Sequence, residues 1–534
     1  MQPAADAGAA SRRAVARASL IMFLAITLGR LLGFVRDATI SHFFGQGRTT
    51  DLFNMAFFLP DMLYFLLAGG ALTAAFIPVF TDYLTRGQEE DAWRVFSTLG
   101  TFLVGVLTVL VVLGILFAVP LVRLVAARSQ PPLSAAEVRE CAHLMRIILP
   151  AQICFLLGGL MMGALQSRQR FLAPAAGPLI YNAAIIVGGL ALAPRLGIAG
   201  FSWGALTGAV IGNVFLQYLV LRRVGMRYRP MLALGHPGVR RVAGMMGAVT
   251  LSLALPQILV ELNRFFGFQI SQGVASALVN ANRLMQAPLA MFGQSLAVAL
   301  LPTLAAQAAL RDTVQFRETL SRSLRAVLFA TIPVSLLMMA LSRPIIRMVF
   351  EHGSFTAADT AVAAPILAVY ATAVAAWSVQ AVVARACFAL GDNRTPVRAG
   401  LAVTALFVAL NAWWKGPLGG PGLAAATSVC GLVIAAMMTA VLRRHLNGIG
   451  GRAVLRTAAT STLAALPMAG VAWGGARLVG ASALATTLPP ALFGLAQCTV
   501  GAAAGLAVFA VAAYLLRIPE AGAAWARLSR KLRR

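Results

Sequence analysis

Of the 534 residues, 59% are hydrophobic and 11% charged. A soluble chain carries about a quarter charged residues, so this composition excludes a water-soluble fold. The net charge of +27 would suggest nucleic acid in a soluble protein; here it reads as orientation across a bilayer, and no nucleic-acid partner is expected. Apolar runs recur from end to end without β-barrel alternation, which makes the fold class an all-α polytopic membrane protein.

In chain order, the N-terminal tail 1–16 carries Arg12 and Arg13 and shows no cleavable signal pattern. Spans are expected near 17–42, 51–81, 95–122, 141–167, 173–193 and 197–221, forming one lobe over 17–222. A short basic linker follows at 223–241. Spans near 242–265, 271–305, 321–342, 360–390, 397–415 and 420–442 form a second lobe over 242–445. A last helix pair near 454–478 and 490–516 occupies 446–517, and 518–534 is a basic tail. The expected total is about fourteen transmembrane helices. Alternate loops hold the arginines: Arg86 and Arg94, Arg168 and Arg170, Arg222 to Arg241, Arg311 to Arg325, Arg394 and Arg398, and Arg443 to Arg456. The opposite loops are poor in them; 267–273 has no basic residue. The positive-inside rule then puts both tails in the cytoplasm.

An internal repeat divides the chain in the same place. Arg30-Leu-Leu-Gly-Phe34 is answered by Arg264-Phe-Phe-Gly-Phe268, and Pro60 with Ala75-Phe-Ile-Pro78 by Pro288 with Ala299-Leu-Leu-Pro302. An even number of spans per copy inserts both copies the same way up and places a site between them near mid-depth.

The charges inside apolar runs are the functional candidates. A cation at membrane depth costs about 2.5–3.5 kcal/mol on insertion scales and needs a reason to be there. Arg30, Arg36, Arg264 and Arg283 are the candidate substrate-binding residues, because a guanidinium stays charged and its fork matches phosphate oxygens. Asp37, Asp51 and Glu261 are gate or structural candidates. Other readings stay open. Arg30 could snorkel to the surface, Arg264 could pair with Glu261 three residues earlier, and Arg36 and Asp37 could pair locally or with Asp51. Arg385 fits snorkelling best. The five cysteines and five histidines have no ligand spacing, no metal site is expected, and no phosphate-cradling loop or acid–base pair marks an enzyme.

Several longer stretches carry a resemblance. Gly29-Arg-Leu-Leu-Gly-Phe-Val-Arg-Asp-Ala38, Phe44-Gly-Gln-Gly47, Thr50-Asp-Leu-Phe53, Gly70-Ala-Leu-Thr-Ala-Ala-Phe-Ile-Pro-Val-Phe80, Ala281-Asn-Arg-Leu-Met-Gln-Ala-Pro288, Phe350-Glu-His-Gly-Ser-Phe-Thr-Ala357 and Ala389-Leu-Gly-Asp-Asn-Arg-Thr-Pro-Val-Arg398 resemble the MurJ (MviN) lipid II flippase family. The last helix pair offers no motif. The resemblance implies a member of the multidrug/oligosaccharidyl-lipid/polysaccharide exporter superfamily: two six-helix lobes in a V, with the C-terminal pair forming a lipid-facing groove. It implies a bacterial cytoplasmic-membrane protein that moves undecaprenyl-pyrophosphate-linked peptidoglycan precursor to the outer leaflet for cell-wall synthesis. The family's cavity arginines match Arg30, Arg36 and Arg283, and its acidic second-span position matches Asp51. Partners implied are the lipid-linked anionic precursor, membrane lipids and cell-wall synthesis proteins. No cofactor is expected, and coupling is expected from the membrane potential or a monovalent cation. The chain departs from the family after Leu59-Pro60, where Tyr64, Phe65 and Gly69 stand for two cations and an anion. The alternatives are a cation-coupled small-molecule exporter of the same fold, which would need more intramembrane carboxylate, and a non-transporting membrane scaffold.

Overall fold

The computed structural model describes residues 28–67 and 71–522, and the regular structure there is helical throughout. The first stretch consists of α1 (28–44), α2 (Arg48–Leu67), α3 (Ala71–Thr85), α4 (Glu89–Leu116), α5 (Ala118–Ala126), α6 (Ala135–Ile148), α7 (Ala151–Ser167), α8 (Leu172–Leu196), α9 (Ala199–Gly208), α10 (Leu216–Arg223) and α11 (Pro237–Gly267). Then come α12 (Val274–Pro288), α13 (Ser295–Ala309), α14 (Thr313–Ala340), α15 (Ser342–Phe350), α16 (Ala357–Ala389), α17 (Arg394–Trp414), α18 (Gly419–His445), α19 (Gly451–Gly480), α20 (Leu484–Thr487) and α21 (Pro490–Leu515). π-helical segments join α9 to α10 (Ala209–Phe215) and α12 to α13 (Leu289–Gln294).

Eleven helical stretches among the described residues are long and apolar enough to cross a membrane. The other three expected spans fall on α1, on α2 with α3, and on α11, so fourteen crossings stay an expectation. The span expected at 51–81 is two helices on either side of residues 68–70, which lie outside the described residues with Gly69 and both terminal tails. The fourth span is also made of two helices, α6 and α7, meeting at Leu149-Pro150, where the proline has no N–H to continue the ladder.

Contacts divide the chain into two compact units, Met1–Ile40 with Arg48–Glu261, and Ser41–Gly47 with Leu262–Arg534. The expected linker belongs to the first unit. The Tyr228 hydroxyl is 3.0 Å from that of Thr101, the Arg229 amide donates to Ser97 Oγ at 3.1 Å, and Arg241 reaches Asp82 at 2.8 Å. Arg48 forks onto Glu137 (2.6 and 3.2 Å), and the same carboxylate closes a capping box with Ser134 at the start of α6.

In the first unit α8 and α9 meet along a glycine seam. Gly200, Gly204, Gly208 and Gly212 recur every fourth residue and so share one helical face. A Cβ on Gly204 would lie 2.6 Å from the Ala184 carbonyl oxygen, and one on Gly212 would lie 2.6 Å from that of Gly177. The obstacle in each case is backbone, which cannot swing aside.

In the second unit Ser41–Gly47 is held by the Phe350-Glu-His-Gly-Ser-Phe loop. The Ser354 amide donates to the His42 carbonyl at 2.7 Å, and Ser354 Oγ to the Phe43 carbonyl at 3.0 Å. Gly353 has φ +61°, the left-handed region where glycine pays no Cβ penalty, so this motif has a structural role. The last pair packs on the same unit. Arg347 Nη1 donates to Gln497 Oε1 at 2.9 Å, Gln497 Nε2 donates to the Ala476 carbonyl at 3.0 Å, and a Cβ on Gly501 would lie 2.6 Å from the Ala472 carbonyl oxygen.

The turn before α17 yields a pH prediction. Asp392 Oδ1 accepts the Arg394 and Thr395 amides at 3.1 and 3.0 Å. Burial alone would raise its pKa, but hydrogen bonds from Thr395 and Arg394, with His445 nearby, hold the carboxyl below its ordinary value. A carboxylate with a depressed folded pKa contributes stability above its unfolded pKa and loses it as pH falls through the folded one. Asp392→Ala is expected to cost about 0.5–1 kcal/mol at neutral pH, read as a lower Tm in detergent. The gap to the parent should close as pH drops below about 4; a gap that persists in acid would disprove this role.

Candidate functional site

Each unit carries its own candidate cations. In the first, Arg30 sits near the described start of α1 and is exposed, one residue after Gly29. Arg36, two turns later, is largely buried, with 13% of its side chain exposed. Its Nε and Nη2 both lie 3.0 Å from Asp37 Oδ1, and its Nη1 donates to Asn182 Oδ1 at 3.0 Å. Asn182 Nδ2 donates to the Pro178 carbonyl at 3.0 Å, which fixes the amide so that its oxygen faces the guanidinium. The local Arg36–Asp37 pair is therefore present, extended by a partner on α8. Asp51 is buried in the first turn of α2, where the helix dipole favours a carboxylate. The nearby Arg48 is committed to Glu137.

Tyr64 and Phe65 form an aromatic wall at the positions where the resemblance implies cations. The Tyr64 ring stands edge-on to Phe155 at 5.5 Å between centroids, and Phe155 edge-on to Tyr181 at 5.1 Å. Edge-to-face pairs at this spacing pack well, so the substitutions leave an ordered surface with no guanidinium in it.

At the border of the units α11 carries Glu261 and Arg264, both buried and three residues apart on one helical face. Arg283 lies on α12, half-buried between the buried Asn282 and Leu284. Around them the second unit contains a polar knot. Asn263 Nδ2 donates to the Tyr370 hydroxyl at 2.9 Å and to Thr427 Oγ1 at 2.7 Å, while Gln286 Nε2 donates to Asn282 Oδ1 at 3.1 Å. Tyr370 is fully buried. A hydrogen-bonded network at this depth gives α11, α16 and α18 one relative position, because an unmade bond there costs about 1–3 kcal/mol. Arg385 lies 5.9 Å from the Phe388 ring centroid on its own helix, apart from this group.

Asn182, Asn263, Tyr370 and Thr427 were not among the sequence candidates. The only local signal was an amide inside an apolar run, Asn182 after Tyr181 and Asn263 before Arg264. The two candidate groups lie in different units: Arg30, Arg36, Asp37, Asp51 and Glu261 in the first, Arg264 and Arg283 in the second.

A family model described as Lipid II flippase MurJ matches residues 40–494. The chain belongs to the MurJ family. The match takes in Asp51, Glu261, Arg264 and Arg283, while Arg30, Arg36 and Asp37 precede it. A MurJ relative named a lipid II flippase, from Burkholderia cenocepacia, is 29% identical over 384 residues, covering 70% of this chain and 73% of its own. Probable MurJ flippases from Rhizobium meliloti (31% identical, 78% of each chain) and Vibrio cholerae (27%, 93% of this chain and 94% of the other) extend the likeness. A solved structure titled lipid II flippase MurJ, inward closed conformation, superposes with a TM-score of 0.76 at 22% identity, over 93% of this chain and 99% of that one. An inward-facing multidrug resistance MATE transporter superposes at 0.65 and 11% identity, over 80% and 98%. At these identities the structural likenesses show the fold. The protein is a multi-pass bacterial membrane protein of the MurJ family, a transporter class.

Proposed function

We propose that this protein flips lipid II, carrying the undecaprenyl-pyrophosphate-linked peptidoglycan precursor from the inner to the outer leaflet by alternating access. The observation that carries the reading is the family match over 40–494, which runs through both units. The residues suit the task. Guanidinium groups at membrane depth in each unit, Arg36 in the first and Arg283 in the second, are permanent positive charges with a fork that fits pyrophosphate. With both tails cytoplasmic, as the arginine-rich loops favour, outward movement of an anionic headgroup runs down the membrane potential. That is worth about 2.3 kcal/mol per charge per 100 mV. The aromatic wall at Tyr64 and Phe65 implies a first unit that grips the phosphates with fewer cations than its relatives and leans more on Arg36.

The test is turnover of a labelled lipid II analogue in vesicles holding the purified full chain, with a potassium diffusion potential set in either sense. Flipping well above protein-free vesicles is expected, faster when the arginine-rich side is negative. Correctly inserted protein that leaves the label in its starting leaflet would refute the function. Equal rates at both polarities would refute the drive.

A further inference from the structure

We infer that the second unit holds an anionic diacyl phospholipid in a groove between α14, α16 and α18, a site separate from the candidate cations described above. The inference goes beyond the flippase reading and does not rest on it. The groove has a volume of about 910 Å³ and is walled by Leu328 and Ile332 of α14, Val379 of α16 and Ala436 of α18, with further alanines on α16 and α18. Small side chains on facing helices leave the slot. Its rim is Arg443 and Arg444 at the end of α18, followed by Asn447 and Gly448. Neither arginine has an ion-pair partner among the described residues, both are exposed, and none of the lining residues is acidic. Arg317 adds a third charge: a Cβ on Gly448 would lie 3.3 Å from its Nη2.

The dimensions fit one leaflet. From Leu432 to Arg443 an α-helix rises about 16 Å, roughly half of a hydrocarbon core about 30 Å thick. An acyl chain laid along the alanine floor therefore ends where the guanidinium groups begin. Two arginines with no local carboxylate favour a headgroup with net negative charge, and basic pockets between helices on the positive side are where acidic lipids bind.

The first unit offers the contrast. The chain leaving α10 folds back along α4, with Tyr228 and Met231 both hydrogen-bonded to Thr101, and so covers the cleft beside that helix. The chain leaving α18 instead turns at Gly448 (φ +117°) and Gly450 (φ +69°) directly into α19, and leaves the cleft beside α14 to the bilayer. The protein covers one cleft with its own backbone and the other with lipid.

The experiment is native mass spectrometry of the full chain released from bilayers of phosphatidylglycerol and phosphatidylethanolamine, with Tm in each lipid alone as a second readout. The parent is expected to retain phosphatidylglycerol preferentially and to melt higher with it. R443Q/R444Q should weaken retention by roughly tenfold or more, R443K/R444K should keep most of it, and A436W, which fills the slot without touching charge, should lose it. Variants are compared only where their Tm in phosphatidylethanolamine alone equals the parent's; A436W carries the test if the arginine variant misfolds. Equal retention of both lipids, or equal retention by parent and A436W, overturns the proposal. So does one-for-one displacement of phosphatidylglycerol by a lipid II analogue, which would make the groove part of the substrate path.

Discussion

Arg283→Ala is expected to abolish rescue of a host depleted of its own lipid II flippase, while the variant accumulates and melts no lower than the parent. The two halves of this expectation have one cause. A guanidinium held half-buried in an otherwise apolar helix costs about 2.5–3.5 kcal/mol to place there, so trimming it to a methyl group relieves the helix. A residue kept for packing would lower stability when removed. One kept to grip a phosphate lowers function alone. Loss of turnover in vesicles should exceed about a hundredfold, equivalent to roughly 2.7 kcal/mol of lost binding. Arg283→Lys should recover part of it, because the charge survives while the fork does not. A variant that rescues normally would remove Arg283 from the site. One that fails because it never reaches the membrane would give it a folding role.

Gly204→Val should have the largest effect on stability. Any Cβ there meets the Ala184 carbonyl oxygen at 2.6 Å and the Ile185 Cα at 2.9 Å, so α8 and α9 would have to move apart along their whole contact. Overpacking a well-fitted interface costs about 1–3 kcal/mol when side chains can yield; here only backbone can. Membrane-inserted protein should fall steeply, as read by fluorescence-detected size exclusion, and what remains should melt well below the parent. Gly105→Val in α4 is the control, since its Cβ would have nothing within 4 Å. Equal yields from the two variants would show that the seam does not fix the α8–α9 contact.

The helical class and the placement of most apolar runs were legible because composition and hydropathy are local properties, and the arginine-bearing loops punctuate them. Arg36 beside Asp37 was legible as a local pair for the same reason. Asn182, 146 residues away, was not: nothing near Arg36 in the chain says which amide a distant helix will bring to it. The Gly200-to-Gly212 spacing is visible in the sequence, yet its meaning depends on a partner face at Gly177 and Ala184 that only the packed structure supplies. The π-helical segments at Ala209–Phe215 and Leu289–Gln294 have no compositional marker, since the extra residue per turn is set by what the helix packs against. The Phe350-to-Phe355 motif read as a family signature, and the structure adds its reason, a left-handed glycine under the carbonyls of His42 and Phe43.

The seam has a mechanical corollary. With main chain pressed on main chain, neither rod can rotate or slide by a fraction of a turn, so α8 and α9 travel as a single keel. Asn182 rides on that keel. Any tilt of it during the work cycle therefore pulls on the guanidinium of Arg36, and the strength of the grip on a passenger would change with the attitude of a helix pair that never touches it.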